Sequence, residues 1–73
     1  MKIILNTQKE LIINGETVAR VLLTSEVMNS DTKRITRKYK VVDMKNNKIM
    51  DLDSYVDFRK CYKTMDWANI LKL

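Results

Sequence analysis

The residues with the clearest potential for chemistry form a basic run at residues 33–40, Lys-Arg-Ile-Thr-Arg-Lys-Tyr-Lys. It holds five of the fourteen basic residues of the chain and no acid. A run rich in Ile, Thr and Tyr is typical of a β-strand, in which alternate side chains point to opposite faces. The even positions then place Arg34, Lys38 and Lys40 on one face, which could contact the phosphates of a nucleic acid. The alternative is a solvated edge strand whose charges prevent edge-to-edge pairing.

Two further features could contact a partner. Arg59, Lys60 and Lys63 form a second basic cluster in a segment with helical periodicity, although the same pattern also fits an ordinary solvated helix face. Trp67 lies off the apolar stripe of that segment, so it either completes the core or stands exposed as an anchor for a protein partner. The predicted binding residues are Lys33, Arg34, Arg37, Lys38, Lys40, Arg59, Lys60 and Lys63, with Trp67 as the candidate anchor.

Residue types required by most catalytic sites are missing from the chain. There is no histidine, and Gly15 is the single glycine, so histidine-based acid–base catalysis and glycine-rich phosphate loops are not expected. Three acids near the start of the helical segment, Asp51, Asp53 and Asp57, are expected to stabilise a helix end rather than to bind a cation. Cys61 is expected to pack as a small buried hydrophobe. The sequence therefore predicts a protein that is not an enzyme and uses no metal or cofactor.

Composition sets the class of protein and of partner. Residues 1–73, of which 45% are hydrophobic, are expected to form one domain, and the net charge of +5 favours acidic partners. A single cysteine and five methionines fit a reducing interior. The apolar start is far shorter than a signal-peptide core, and no apolar run could span a bilayer. We expect a cytoplasmic protein without a membrane partner, in a bacterial or phage-infected cell whose genome is AT-rich.

Several elements must position these residues, beginning with a hairpin in the first third of the chain. Residues 2–5 and 9–13 predict two short strands. The dipeptide Asn14-Gly15 favours a type I′ turn, because both of its residues tolerate positive φ, and it predicts a hairpin with residues 17–23. Val18, Val21 and Leu22 also recur at helical spacing, so a helix beginning near Glu16 is the alternative.

The rest of the chain predicts a second hairpin and a helix. After a polar break at residues 29–31, the basic strand should run to about Asp43, turn at residues 45–48 and return over residues 49–52. From Ser54, a candidate N-cap, apolar residues recur at three- and four-residue steps, which predicts an amphipathic helix interrupted near residue 65. The predicted fold class is α+β: an antiparallel sheet of four to five strands in two hairpins (residues 1–53), with a C-terminal helix (residues 54–72) packed on one face.

Two functions fit this domain, and both are binding functions. The first is a nucleic-acid-binding accessory or regulatory protein that uses the basic strand. The alternative is a phage-type protein-binding module that inhibits or adapts a larger host or defence protein, with the basic residues facing an acidic surface. A homodimer is compatible with either. A continuous basic surface joining strand and helix would favour nucleic acid, whereas an exposed apolar patch would favour a protein partner.

Overall fold

Five antiparallel strands, arranged in chain order, form a single sheet in the computed structural model, which describes residues 2–72. The strands are β1 (Ile3–Leu5), β2 (Glu10–Ile13), β3 (Glu16–Met28), β4 (Ile35–Asp43) and β5 (Lys48–Leu52). They are followed by α1 (Tyr55–Cys61), a 3₁₀ turn (Tyr62–Thr64) and α2 (Trp67–Ile70). The predicted α+β class is confirmed. The two predicted hairpins, β2–β3 and β4–β5, are joined by a third, formed by β3 and β4, and β1 pairs with β2 in a fourth. Met1 and Leu73, the ends of the predicted domain, lie outside the described residues.

The β2–β3 hairpin forms at the predicted turn. Asn14 and Gly15 have φ values of 51° and 84°, and Ile13 lies opposite Glu16 across them. Two consecutive positive φ values are the requirement of a type I′ turn. The helical alternative for residues 16–28 is wrong, because β3 pairs with β2 along its first half and with β4 along nearly its whole length.

The core lies between one face of the sheet and the C-terminal helical segment. The sheet contributes Leu11, Ile13, Ala19, Val21 and Val41, and the helical segment contributes Phe58 and Trp67. Trp67 is only 1% exposed, and its indole Nε1 donates a hydrogen bond of 2.6 Å to the carbonyl of Tyr62. The hypothesis that Trp67 is an exposed anchor is therefore wrong. Its ring completes the core, with an edge-on contact to Phe58 at 6.1 Å between ring centroids.

The helical segment begins and breaks where the sequence predicts. The Ser54 hydroxyl accepts from the amide of Asp57 at 3.3 Å, and Met65 is extended before Asp66 caps α2. Cys61, however, is exposed, so its predicted burial is wrong. The α-helix ends at Cys61, and the 3₁₀ turn that follows carries Tyr62 to the sheet, where its hydroxyl accepts from the amide of Leu5 at 3.3 Å.

The turn between β4 and β5 predicts a pH-dependent contribution to stability. The Asp43 carboxylate accepts from the amides of Lys45 at 2.8 Å and Asn47 at 2.9 Å. The backbone hydrogen bond from Asn47 is the main cause that lowers the pKa of Asp43. A carboxyl with a depressed folded-state pKa stabilises the fold above its unfolded pKa of about 3.9, and this contribution is lost as the pH falls through the folded value.

We therefore expect Asp43→Ala to lower the free energy of unfolding at pH 7 and to lower it less in strong acid. Urea unfolding at pH 7 and at about pH 2.5 measures the difference. Asp31→Ala is the control, because the Asp31 carboxylate accepts no hydrogen bond within residues 2–72. An Asp43→Ala deficit that stays constant between the two pH values would contradict this role of the carboxylate.

Candidate interaction surface

Strands β3 and β4 continue well beyond the rest of the sheet. Pairing of β2 with β3 ends near Arg20, and pairing of β5 with β4 ends at Tyr39. Within residues 2–72, strand segments 22–28 and 35–38 therefore have only each other as paired neighbours. We call residues 22–38 the arm, and every one of them is exposed. The thirteen residues of β3 span about 44 Å at about 3.4 Å per residue. That length matches the 45 Å long axis of the molecule.

The tip of the arm holds two of the predicted binding residues. The Asn29 side-chain oxygen accepts from the amides of Asp31 and Thr32, and the Lys33 amide donates to the Asn29 carbonyl at 2.7 Å. Lys33 has a φ of 56°, which reverses the chain into β4. Lys33 and Arg34 therefore lie in a turn, and the prediction that the strand begins at residue 33 is wrong by two residues.

Alternation along β4 separates the remaining basic residues of the run. The ring of Tyr39 contacts that of Tyr55 on α1 at 5.5 Å between centroids, so odd positions of β4 point toward the helices. Arg37 shares this helix-side face of the arm. Lys38 and Lys40 point to the opposite side, which we call the cationic face. The basic residues of the helical segment lie across the sheet from Lys38 and Lys40, so the two predicted clusters do not form one continuous surface.

The helical cluster itself is spread over separate environments. Lys63 places its ammonium 6.0 Å from the centroid of the Tyr62 ring, and Lys60 is exposed. Arg59 lines a cleft of about 290 Å³ next to Tyr55 and Lys9. No acid lines this cleft, so Arg59 and Lys9 make it a small cationic pocket on the helix side.

The helix-side face of the arm is electrically neutral and largely apolar. The Arg37 guanidinium donates to the Glu26 carboxylate at 2.8 Å, and this hydrogen bond raises the pKa of Arg37 above its ordinary value. The ion pair is exposed, so it adds little stability, but it cancels both charges. Around it, Leu23, Met28 and Ile35 expose their side chains. This face therefore offers apolar contacts without net charge.

The cationic face is less purely basic than the sequence of β4 alone predicts. Lys38 lies opposite Ser25 and Lys40 lies opposite Leu22 on β3, while Asp51 of β5 flanks Lys40 on its other side. The two neighbouring strands therefore place neutral, apolar and acidic groups among the lysines. A strand read in isolation does not reveal these neighbours, because they come from segments distant in sequence.

Exposed apolar side chains concentrate on the arm. Of the eight large hydrophobic residues that are exposed among the described ones, five belong to it: Leu22, Leu23, Val27, Met28 and Ile35. A sixth, Val56 on α1, lines a cleft of about 320 Å³ between the base of the arm and the helix, together with Ile35, Tyr39 and Tyr55. Burial raises the pKa of the Tyr55 phenol above its ordinary value. The apolar residues on both faces of β3 are the sequence signal for this surface.

Two other kinds of feature are absent from residues 2–72. No group of three or more His, Cys, Asp or Glu side chains within residues 2–72 is arranged to hold a metal ion. None of the described helices is long and apolar enough to cross a membrane. Comparison of the chain with protein-family models, curated proteins and solved structures found no match.

Proposed function

We propose that this protein is a non-enzymatic binding module that docks its arm onto a larger protein. The observation that carries the proposal is the concentration of exposed apolar side chains on the arm. Apolar surface gains free energy only when another apolar surface covers it, at about 25 cal/mol per Å². Clusters of such residues on a small protein mark interaction sites.

The distribution of charge on the arm fits a protein interface. Protein interfaces have an apolar centre and a polar or charged rim. On the arm, Leu23, Met28 and Ile35 surround a neutralised ion pair, while Arg34 and Lys38 supply positive charge at the tip and on the other face. A partner with an apolar patch bordered by acidic residues complements this pattern.

Nucleic-acid binding is the second candidate, and the cationic face supports it. Lys38 and Lys40 point the same way, and Lys38 lies on a two-stranded ribbon, a shape that the major groove of duplex DNA can admit. Its weakness is the separation of the basic residues onto two sides of the sheet, because a polyanion is bound best by a continuous basic surface.

We expect Met28→Glu to weaken partner binding at least about tenfold without affecting folding, because it places a charge in the apolar centre of the interface. Met28 is 64% exposed, so the free energy of unfolding should change by no more than about 0.5 kcal/mol. Met44→Glu is the matched control, since Met44 is 49% exposed but lies in the β4–β5 turn. Affinity capture from a nuclease-treated bacterial lysate compares the three proteins, and titration of a purified captured protein measures the affinity.

The proposal fails if no protein is retained by both wild type and Met44→Glu and lost from Met28→Glu. Fluorescence anisotropy with labelled single-stranded and duplex DNA and RNA, at about 50 and 200 mM salt, tests the second candidate. Saturable binding that weakens steeply with salt and is lost in Arg34→Ala/Lys38→Ala would assign the function to nucleic acid instead.

A further inference from the structure

We propose that the outer edge of β4, at residues 35–38, binds an extended segment of the partner protein by strand addition. We further propose that this segment alternates apolar and acidic side chains. The inference rests on the proposed function, because it names how the protein partner is engaged. Strand addition uses main-chain hydrogen bonds for affinity and alternate side chains for specificity.

The backbone of β4 leaves hydrogen-bonding groups available at this edge. The carbonyl of Arg34 accepts from the Asn29 amide at 2.8 Å, and that of Lys38 accepts from the Thr24 hydroxyl at 3.0 Å, so even positions face β3. In an antiparallel strand, the N–H and C=O of a residue point to the same neighbour, and successive residues alternate. The N–H and C=O groups of Ile35 and Arg37 therefore point away from β3. Since β5 ends its pairing opposite Tyr39, no described strand reaches them.

The other free edge of the arm is protected, which singles out β4. On β3 the pairing register shifts between Leu23 and Ser25, so Thr24 forms a bulge in the middle of the free segment. Bulges interrupt the regular row of backbone groups and are a common protection of edge strands. On β4, every residue from Ile35 to Val41 is paired with β3 without a skipped position. An added strand can therefore form a regular ladder with β4, in line with β5.

The side chains on the two faces of this edge specify the added strand. On the helix side it would lie along the cleft of about 320 Å³, whose lining combines the apolar groups of Ile35, Tyr55 and Val56 with polar residues that include Arg37 and Asp53. The first three can cover an apolar side chain, whereas an acidic side chain there would meet the Asp53 carboxylate. On the opposite side it would lie beside Lys38, which makes no ion pair within residues 2–72. Because side chains of a strand alternate, one residue enters the cleft and the next meets the lysine. An apolar residue followed by an acidic residue satisfies both faces.

A short synthetic peptide of alternating valine and glutamate is the probe for this site. With ¹⁵N-labelled protein, we expect saturating peptide to slow the amide hydrogen exchange of Ile35 and Arg37 at least about tenfold, because these amides become donors in the new ladder. The amides of Thr36 and Lys38 already face β3 and should change little. Unchanged exchange at Ile35 and Arg37 in about 1 mM peptide would overturn the inference.

Two controls separate strand addition from simple charge attraction. A peptide of the same composition, with its valines and glutamates in two blocks, retains the charge but loses the alternation, and it should not protect Ile35 and Arg37. Val56→Glu should weaken binding of the alternating peptide at least about tenfold, and Met44→Glu should not. Val56 is 60% exposed, so its substitution leaves the core intact. Equal protection by both peptides, or equal binding by both variants, would contradict the proposed site.

The two proposals can fail independently. If Met28→Glu loses a captured protein that Met44→Glu retains, while the peptide leaves Ile35 and Arg37 unprotected, strand addition is overturned and the binding function stands. If the peptide protects these amides but no captured protein depends on Met28, the edge site stands and the proposed docking through the apolar face of the arm is overturned.

Discussion

Replacing residues 24–38 with the four-residue turn Thr-Asn-Gly-Lys is expected to leave a folded protein that has lost partner binding. Leu23 and Tyr39 lie opposite each other, but the backbone groups of Tyr39 face β5. One further residue on each strand must therefore pair before an Asn-Gly turn can join them, as Asn14-Gly15 joins Ile13 and Glu16. Every arm residue is exposed, and the core is built from residues outside the arm. The free energy of unfolding should therefore change by about 1 kcal/mol or less. Urea unfolding and the capture experiment measure the two effects.

A second variant separates the shape of the arm from its surface. Substituting threonine at the five exposed apolar positions of the arm preserves its length, because threonine favours strands, and removes the apolar contacts. We expect this variant to fold and to lose the partner as the shortened protein does. Retained binding in the shortened protein would place the site outside the arm. Loss of cooperative unfolding would instead show that the arm supports the core.

The largest effect on stability is expected from Trp67→Ala, at about 3–5 kcal/mol. The ring is 1% exposed and packs edge-on against Phe58, and its removal also leaves the Tyr62 carbonyl without its indole donor. Domains of this size usually have only a few kcal/mol of stability, so the variant should be largely unfolded at 37 °C. Far-UV circular dichroism during urea titration measures the loss.

Val56→Ala is the control for this substitution, because Val56 belongs to the same helical segment but is exposed. It should change the free energy of unfolding by no more than about 0.5 kcal/mol. A cost below about 1 kcal/mol for Trp67→Ala would contradict the burial of its ring in the core.

The fold divides the chain into a part that contains the core and an exposed arm that lies outside it. The core ends near Val21 and Val41, the last buried residues of β3 and β4 before the arm. Beyond them, β3 and β4 carry apolar residues that no described element covers. Local departures from the usual burial of apolar side chains are expected at functional sites, because function retains them at a cost in solubility.

Local features of the fold could be predicted because their physical causes are local. The Asn14-Gly15 turn depends on two residues that tolerate positive φ, and the start of α1 depends on the Ser54 hydroxyl three residues from its amide partner. The apolar period from Tyr55 onward identified the helix, and its interruption near residue 65 is confirmed. In each case the interacting groups lie within a few residues of one another.

The sequence by itself determined the α+β class, the first hairpin turn, the helix start and the presence of a basic strand, because these depend on periodicity and on contacts between near neighbours. The tertiary structure alone decided between the predicted strand and the helical alternative for residues 16–28, buried Trp67, and placed Lys38 on the opposite side of the sheet from Arg59. It also decided that β3 and β4 extend beyond β2 and β5 and form the arm. These outcomes depend on pairing partners and packing surfaces that come from distant parts of the chain, which no local pattern contains.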